Sequence, residues 1–235
     1  MKPPASDRFL PASLFALTAA TGFVDAISYL ALGKVFTANM TGNVVFLGFA
    51  VAAVPGLSVP RSAAALAAFL LGAIVGGRMA AATGTGPRHR LASTGFGMEA
   101  VLLLAAAGLG AGARGDLLDD PSRLYGLIAL TGLAMGIRNS VVRKLAERDL
   151  TTTVLTLTLT GMASESSLAG GANPGWVRRA ASVLLMFAGA ASGAWLLRFS
   201  VWLPLAISGA IAGLAALGLR VAGERAASAA PGHPS

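Results

Sequence analysis

The sequence predicts an all-α fold, a polytopic helical membrane protein, and three observations lead there. Of its 235 residues, 55% are hydrophobic and only 12% are charged, roughly half the charged share of an ordinary soluble domain. The apolar residues gather into eight stretches, each close to the roughly 20 residues that a helix needs to cross a bilayer core. The chain also carries 30 glycines among many alanines, and small residues let helix backbones approach closely in lipid, where packing drives association.

Taken in order, residues 1–10 form a cytoplasmic tail in which Lys2 and Arg8 precede the first apolar run. That pattern resembles a signal peptide, but apolar segments continue along the whole chain, so it reads as an uncleaved first span. Segment 1 covers about 11–32 and contains Asp25. Segment 2, about 36–54, opens with the polar FTANMTGN and stops at Pro55-Gly56. Segment 3 (62–82) is rich in Ala, Leu and Gly. The glycine-containing basic loop that follows, 83–90, lacks the Gly-Lys-Ser/Thr ending of a phosphate-binding loop. Segment 4 (91–113) carries Glu99, and an acidic loop with Asp116, Asp119 and Asp120 leads to segment 5 (124–142). Segment 6 (150–168) opens LTTTVLTLTLTG, an alternation with the period of a strand. A lone strand leaves backbone groups unpaired in hydrocarbon. The segment therefore reads as a helix whose Thr hydroxyls bond back one turn, with a partly extended, buried segment as the other option. Segments 7 (179–197) and 8 (201–221) complete a single transmembrane domain, 11–221, and 222–235 is expected to be a disordered tail.

The chain repeats itself. Gly22-Phe-Val-Asp25 matches Gly136-Ile-Arg-Asn139 at an offset of 114, and FTANMTG from Phe36 matches LTLTLTG from Leu155 at 119. Arg61 with Gly72 and Gly76 matches Arg178 with Gly189 and Gly193 at 117. Three matches in order, near one offset, divide the domain into halves of about 11–113 and 124–221. Such duplications are common in transporters, with the binding site where the halves meet.

Charge then selects a topology. With eight full spans and a cytoplasmic start, the 18 basic residues divide evenly between the two sides, which defeats the positive-inside rule. If segments 2 and 6 enter and leave on the same side, only Lys34, Arg61, Arg114, Arg123 and Arg198 lie outside and the other 13 lie inside. Six full spans plus two short, polar re-entrant helices is the preferred topology, and eight full spans is the alternative. Three spans per half would make the halves inverted relative to each other.

Some chemistries are excluded by residue types. There is no Cys, so there are no disulfides, thiolate nucleophiles or Cys-based metal sites. The two His, His89 and His233, fall in a loop and a tail, which argues against an intramembrane Ser–His protease or a His proton relay. An Asp dyad would need a second carboxylate of that type, and Asp25 is the lone Asp in an apolar segment. No enzyme activity, cofactor or metal is expected. The net charge of +8 suits basic loops against an anionic leaflet. No basic stripe interleaved with aromatics points to nucleic acid.

The candidate solute or ion ligands are Asp25, Asn39, Thr41, Asn43, Arg138, Asn139, Thr160 and Glu165. An ionised Asp25 at membrane depth needs a partner, water or a proton, and it suits H⁺ uptake and release, a share in holding Na⁺, or a structural hydrogen bond. Asn39, Thr41 and Asn43 suit a neutral polar ligand, the oxygen shell of an ion, or interhelical hydrogen bonds. Arg138 suits snorkelling to headgroups, an anion contact, or an ion pair with an acidic residue such as Asp25 or Glu165. Glu99 and Glu165 are each ambiguous between interface and interior. The small-xxx-small pairs Gly72/Gly76 and Gly189/Gly193 suit close helix contacts, hinges or a homo-oligomer face.

The stretch GFVDAISYLALGKVFTANMTGNVVFLG resembles the signature of the YoaK-like family of bacterial membrane proteins, and GIRNSVVRKLAERDLTTTVLTLTLTG resembles that family's second block. The matching positions are Gly22, Asp25, Phe36, Asn39, Thr41, Gly42 and Asn43, then Gly136, Asn139, Thr152 and Gly161. The resemblance implies a multi-pass inner-membrane protein of about six spans, and it implies no substrate. The expected partners are the lipid bilayer and a small solute or ion. Two functions are carried forward: a secondary transporter or permease coupled to protons through Asp25, and a non-transporting membrane scaffold, accessory or sensor protein.

Overall fold

A computed structural model of the chain describes residues 5–84, 86–112, 116–145 and 155–228. Among them there is no strand, and eight α-helices follow one another: α1 Ala5–Ala31, α2 Met40–Val51, α3 Val59–Thr83, α4 Arg88–Ala111, α5 Pro121–Leu145, α6 Leu155–Ser164, α7 Trp176–Leu196 and α8 Trp202–Ser228. Six of them, all but α2 and α6, are long and apolar enough to cross a membrane. The expectation of six spans plus two short helices holds.

Several boundaries move. Helix α1 begins at Ala5, so the expected tail 1–10 is helical from there, and Pro11 lies inside the helix. A proline at that position removes one backbone donor without preventing the helix from continuing. Segment 2 splits into a non-helical stretch before Met40 and a 12-residue helix. Segment 6 is helical over Leu155–Ser164, as preferred over a strand, while its opening, residues 150–154, lies outside the described residues. Helix α8 continues through Ser228, seven residues beyond the expected end, so the tail is not disordered from Ala222. Its last turn carries Arg225, and Arg220 pairs with Glu224 one turn along at 3.0 Å, a spacing that supports an exposed helix.

Two helices form the centre. In α1 and α5, 61% of the span is buried, against 28% for α3 and 22% for α7. The buried stripe of α1 runs through Leu10, Leu14, Leu17, Val24 and Ile27, and that of α5 through Leu124, Leu127, Ile128, Met135 and Val141. Around them the packing follows the repeat. Helix α1 packs on α7 as α5 packs on α3; α1 packs on α8 as α5 packs on α4; α2 lies on α3 as α6 lies on α7; and α4 meets α8. Most of these contacts join one half to the other, so each half completes its partner's core.

The closest crossings show the same relation residue by residue. A methyl group on Gly22 would meet the backbone of Met186, Gly189 and Ala190, and one on Gly136 would meet Phe69, Gly72 and Ala73. Gly189 abuts Ala19 as Gly72 abuts Leu133, and Gly193 abuts Phe23 and Ala26 as Gly76 abuts Ile137 and Ser140. Every counterpart lies 114 residues on in the central helices and 117 in the flanking ones. The Gly72/Gly76 and Gly189/Gly193 pairs are thus occupied by crossings within the chain, not by a free face.

The helix ends fix the topology. Arg61 at the start of α3 lies against Gly33 after α1, and Lys34 lies against Gly56, so α2 leaves and returns on one side. At the other side Phe9 meets Gly218, His89 meets Gly223, and the Arg88 guanidinium donates to the Leu145 carbonyl. The starts of α1 and α4 and the ends of α5 and α8 therefore share a face, which gathers Arg88, Arg90, Arg143, Lys144, Arg220 and Arg225. This is the face the charge count assigns to the cytoplasm. On the opposite face Asp120 accepts from the Ser122 hydroxyl (2.8 Å) and from the Arg123 backbone N–H (3.1 Å) at the start of α5. The Ser122 hydrogen bond, then the Arg123 N–H, hold its carboxyl below the usual carboxylate range.

Candidate functional site

The site begins with a break in the backbone. After Ala31, Gly33 takes φ +80° and Lys34 φ 60°, a left-handed pair that turns the chain back and that favours glycine at the first position. From there to Met40 the chain is not helical, and its polar groups need partners away from helix ladders. Asn43 supplies them. Its Oδ1 accepts from the Phe36 N–H at 2.8 Å and its Nδ2 donates to the Phe36 carbonyl, so one buried side chain closes both backbone groups of one residue. Asn39 caps α2, its Oδ1 accepting from the Gly42 N–H at 3.4 Å. Phe36 stacks between Tyr29 (5.3 Å between centroids) and Phe46 (5.6 Å), which clamps the broken stretch between the end of α1 and α2. Gly42 lies under the Phe36 ring, where a Cβ would come within 2.8 Å.

These contacts separate the two asparagines. Asn43→Ala leaves two groups of a partly buried backbone unpaired, at up to about 1–3 kcal/mol each, whereas Asn39 is exposed and makes a single long cap bond. Asn43→Ala is expected to lower the thermal midpoint of the purified protein clearly more than Asn39→Ala, measured by fluorescence-detected size exclusion.

The broken stretch borders a cavity of about 590 Å³ between the halves. Asp25 comes from α1, Asn39 and Thr41 from the start of α2, and Asn139 from α5; Phe69 of α3 and Met186 of α7 face them. Leu155 and Thr156 at the start of α6 complete the wall. Asp25 and Asn139 are counterparts at the offset of 114, and Phe69 and Met186 at 117. The cavity therefore straddles the axis relating the halves, with a carboxylate at one of two equivalent positions and an amide at the other.

Asp25 is placed for chemistry. The Ala38 backbone N–H hydrogen-bonds its carboxylate, while its Oδ1 is buried with no partner among the described residues. A buried acceptor without a partner is costly and marks a place where a ligand, a proton or water gains binding energy. Asn139 donates from Nδ2 to the Met135 carbonyl at 2.8 Å, which holds its amide at the cavity edge.

Next to the cavity, and sealed from it, lies a second polar group. Arg138 and Glu99 are both fully buried, with Nη1 to Oε1 at 2.9 Å. The same guanidinium donates to the Leu17 carbonyl (3.0 Å) and to the Thr21 hydroxyl (2.5 Å). Arg138 thus ties α5 to α1 and α4 through the middle of the bundle. It neither snorkels nor pairs with Asp25 or Glu165, the options its sequence position suggested, because a guanidinium facing the core finds the nearest buried carboxylate on α4. Its counterpart position in α1 is Val24, so the ion pair, which joins the two halves, has no symmetry-related copy.

Of the eight residues singled out from the sequence, the cavity gathers Asp25, Asn39, Thr41 and Asn139. Asn43 holds the loop, and Arg138 holds the core. Thr160 is exposed on α6, and Glu165, just past α6, pairs with Arg179 at 2.7 Å; neither lines the cavity. The apolar walls Phe46, Phe69 and Met186 were not picked out by sequence reasoning, although the Phe69–Met186 offset was there to be read. A slightly larger cavity, about 660 Å³, lies between the start of α4 and the end of α8, lined by His89, Arg90, Arg220 and Glu224. None of its residues belongs to the repeated motifs, and its Arg220 is already paired, so the 590 Å³ cavity is the stronger site.

Comparison with known proteins agrees with this architecture. The family described as "Protein of unknown function (DUF1275)" matches residues 13–218. The UPF0700 transmembrane protein YoaK of Bacillus subtilis (strain 168) is 35% identical over 155 residues, which is 66% of this chain and 65% of that protein. The chain therefore aligns with just under two thirds of that relative's length. No solved structure matches. With six apolar spans, a family match over nearly its whole length and a transmembrane relative, the chain belongs to the DUF1275 family, a multi-pass helical protein of the bacterial inner membrane.

Proposed function

We propose that the protein is a secondary transporter or permease for a small solute, coupled to protons through Asp25. The observation that carries this reading is the cavity at the crossing of two related halves, walled by Asp25 and its counterpart Asn139. An inverted duplication offers a way to work such a site. The two halves can exchange conformations, so that one arrangement opens the cavity to one side of the membrane and its mirror opens it to the other. The broken segment before α2 supplies non-helical backbone at the cavity wall, where such backbone is tolerated in a membrane, and the start of the short helix α6 lies across from it. No phosphate-binding loop is present in the sequence, which favours coupling to an ion gradient.

In this mechanism Asp25 carries the proton. It is neutral when protonated and crosses the bundle without a counter-charge; ionised, it holds the solute from the open side. The buried Oδ1, without a partner among the described residues, leaves the carboxyl open to either role. Purified protein in liposomes should accumulate or release solute faster when a pH gradient is imposed. Asp25→Asn, which is always neutral, should abolish gradient-driven flux, a loss of at least tenfold, while leaving the protein folded by size exclusion. Wild-type flux in that variant would refute the proton role. Absence of flux in every solute class tested, together with stable co-purification of another membrane protein, would point to a scaffold instead.

A further inference from the structure

We propose that the solute this cavity takes is a small organic cation, an amine or quaternary ammonium group with an apolar body. The inference rests on the reading of the cavity as the solute site and goes beyond it by fixing the charge and class of the ligand.

The argument is one of charge and wall chemistry. Among the described residues, Asp25 is the one ionisable side chain lining the cavity. The nearest cation is Arg138, and its guanidinium is already tied to Glu99, to the Leu17 carbonyl and to the Thr21 hydroxyl. With both groups ionised that pair adds no net charge, although the Arg138 charge still acts on Asp25 through space. Among the lining residues, α2, α3, α6 and α7 present no titratable group. An ionised Asp25 thus leaves the cavity, among the described residues, with one negative charge beyond the Arg138–Glu99 pair, in surroundings where unpaired charge is expensive. An anionic solute would add to that cost, and a cationic solute removes it.

The rest of the wall selects the kind of cation. Among the described residues no three His, Cys, Asp or Glu side chains cluster, which fails the ligand set of a divalent metal site. A volume of about 590 Å³ is far larger than the cage of a bare alkali ion. Phe46 and Phe69 present aromatic rings, and Met40 and Met186 present polarizable sulfur-bearing chains. Rings attract ammonium groups through their negative faces, and methionine adapts to irregular apolar shapes. Asn39, Thr41 and Asn139 offer amide and hydroxyl groups at the polar end. A cation arriving at protonated Asp25 forms its ion pair as the carboxyl releases its proton to water on the open side, and the reverse exchange discharges it.

The test uses full-length protein in lipid nanodiscs and isothermal titration with benzyltrimethylammonium, benzyl alcohol and benzoate, and with choline against its neutral isostere 3,3-dimethyl-1-butanol. Each cation should bind at least tenfold more tightly than its neutral or anionic analogue. Binding should weaken as pH falls and Asp25 becomes protonated. Asp25→Asn should lose the tenfold preference, Asp25→Glu should keep it, and Phe69→Leu should weaken both cations several-fold without altering the preference for charge. The inference is overturned if the neutral or anionic analogues bind as well as the cations, if only Na⁺ gives a response, or if no cation binds at millimolar concentration at pH 8.5. Failure here is distinct from failure of the carrier reading: a bound cation that is not moved in liposomes removes transport and keeps the charge assignment, and flux of a neutral solute does the reverse.

Discussion

Glu99→Leu is expected to destabilise the protein by about 3–5 kcal/mol, and Arg138→Met by a similar amount, because each leaves one charge buried without its partner. Both side chains are fully buried and lie 2.9 Å apart. The Arg138 orphan is the worse of the two, since its guanidinium also holds contacts to α1 that fix its position and prevent it from swinging toward a headgroup. The double variant Glu99→Leu/Arg138→Met removes both charges and fills similar volume, so it should recover most of the loss. Thermal midpoints and the monodisperse fraction in mild detergent give the three values. A double variant as unstable as the sum of the singles would show that the two charges are not coupled.

Gly72→Leu and Gly189→Leu should each prevent normal assembly, with a cost at or above the upper end of the roughly 1–3 kcal/mol seen for overpacking. At these positions the obstacle is backbone, the Leu133 carbonyl for Gly72 and the Ala19 carbonyl for Gly189, and backbone in a packed helix yields less than a side chain tip. The two effects should be alike, since the crossings are counterparts. Gly48 and Gly108 have nothing within 4 Å of an added Cβ. Gly48→Ala and Gly108→Ala should therefore be neutral or slightly stabilising, as the helix propensities of Gly and Ala differ by about 1 kcal/mol in that direction. The yield of folded protein after membrane extraction compares all four. Equal losses at the crossing and open positions would contradict the packing described here.

The parts of this fold that follow a period or a composition were legible in the sequence. Six spans followed from apolar runs of bilayer length, and the two short helices from polar content together with the count of basic residues on each side. The duplication was visible in Gly22 and Gly136 because only glycine lets α1 touch α7, and α5 touch α3, backbone to backbone. Half of the site followed too: the repeat pairs Asp25 with Asn139, and both line the one cavity. What escaped depends on side-chain direction. Nothing in the order of residues says that Arg138 turns inward to Glu99 on α4, or that Asn43 turns back to Phe36 and not toward the cavity. The exposed Thr160 belongs to the same motif as Thr41 at an offset of 119, yet the second copy faces away, so the duplicated motif does not imply a duplicated role. The end of α8 was missed because Ala222–Ser228 is small and polar, although its residues form helix well and Arg220 and Glu224 staple the last turns.

In a carrier of this kind, water and solute reach one cavity from both sides of the membrane in turn. The chain contains no Cys, so Thr41→Cys introduces a single thiol in the cavity wall. Its reaction with a membrane-impermeant methanethiosulfonate, added outside intact cells or inside through inverted vesicles, measures access directly. Modification is expected from both sides, with the faster side changing when the pH gradient is reversed. Modification from one side alone, at a rate indifferent to the gradient, would contradict the carrier reading.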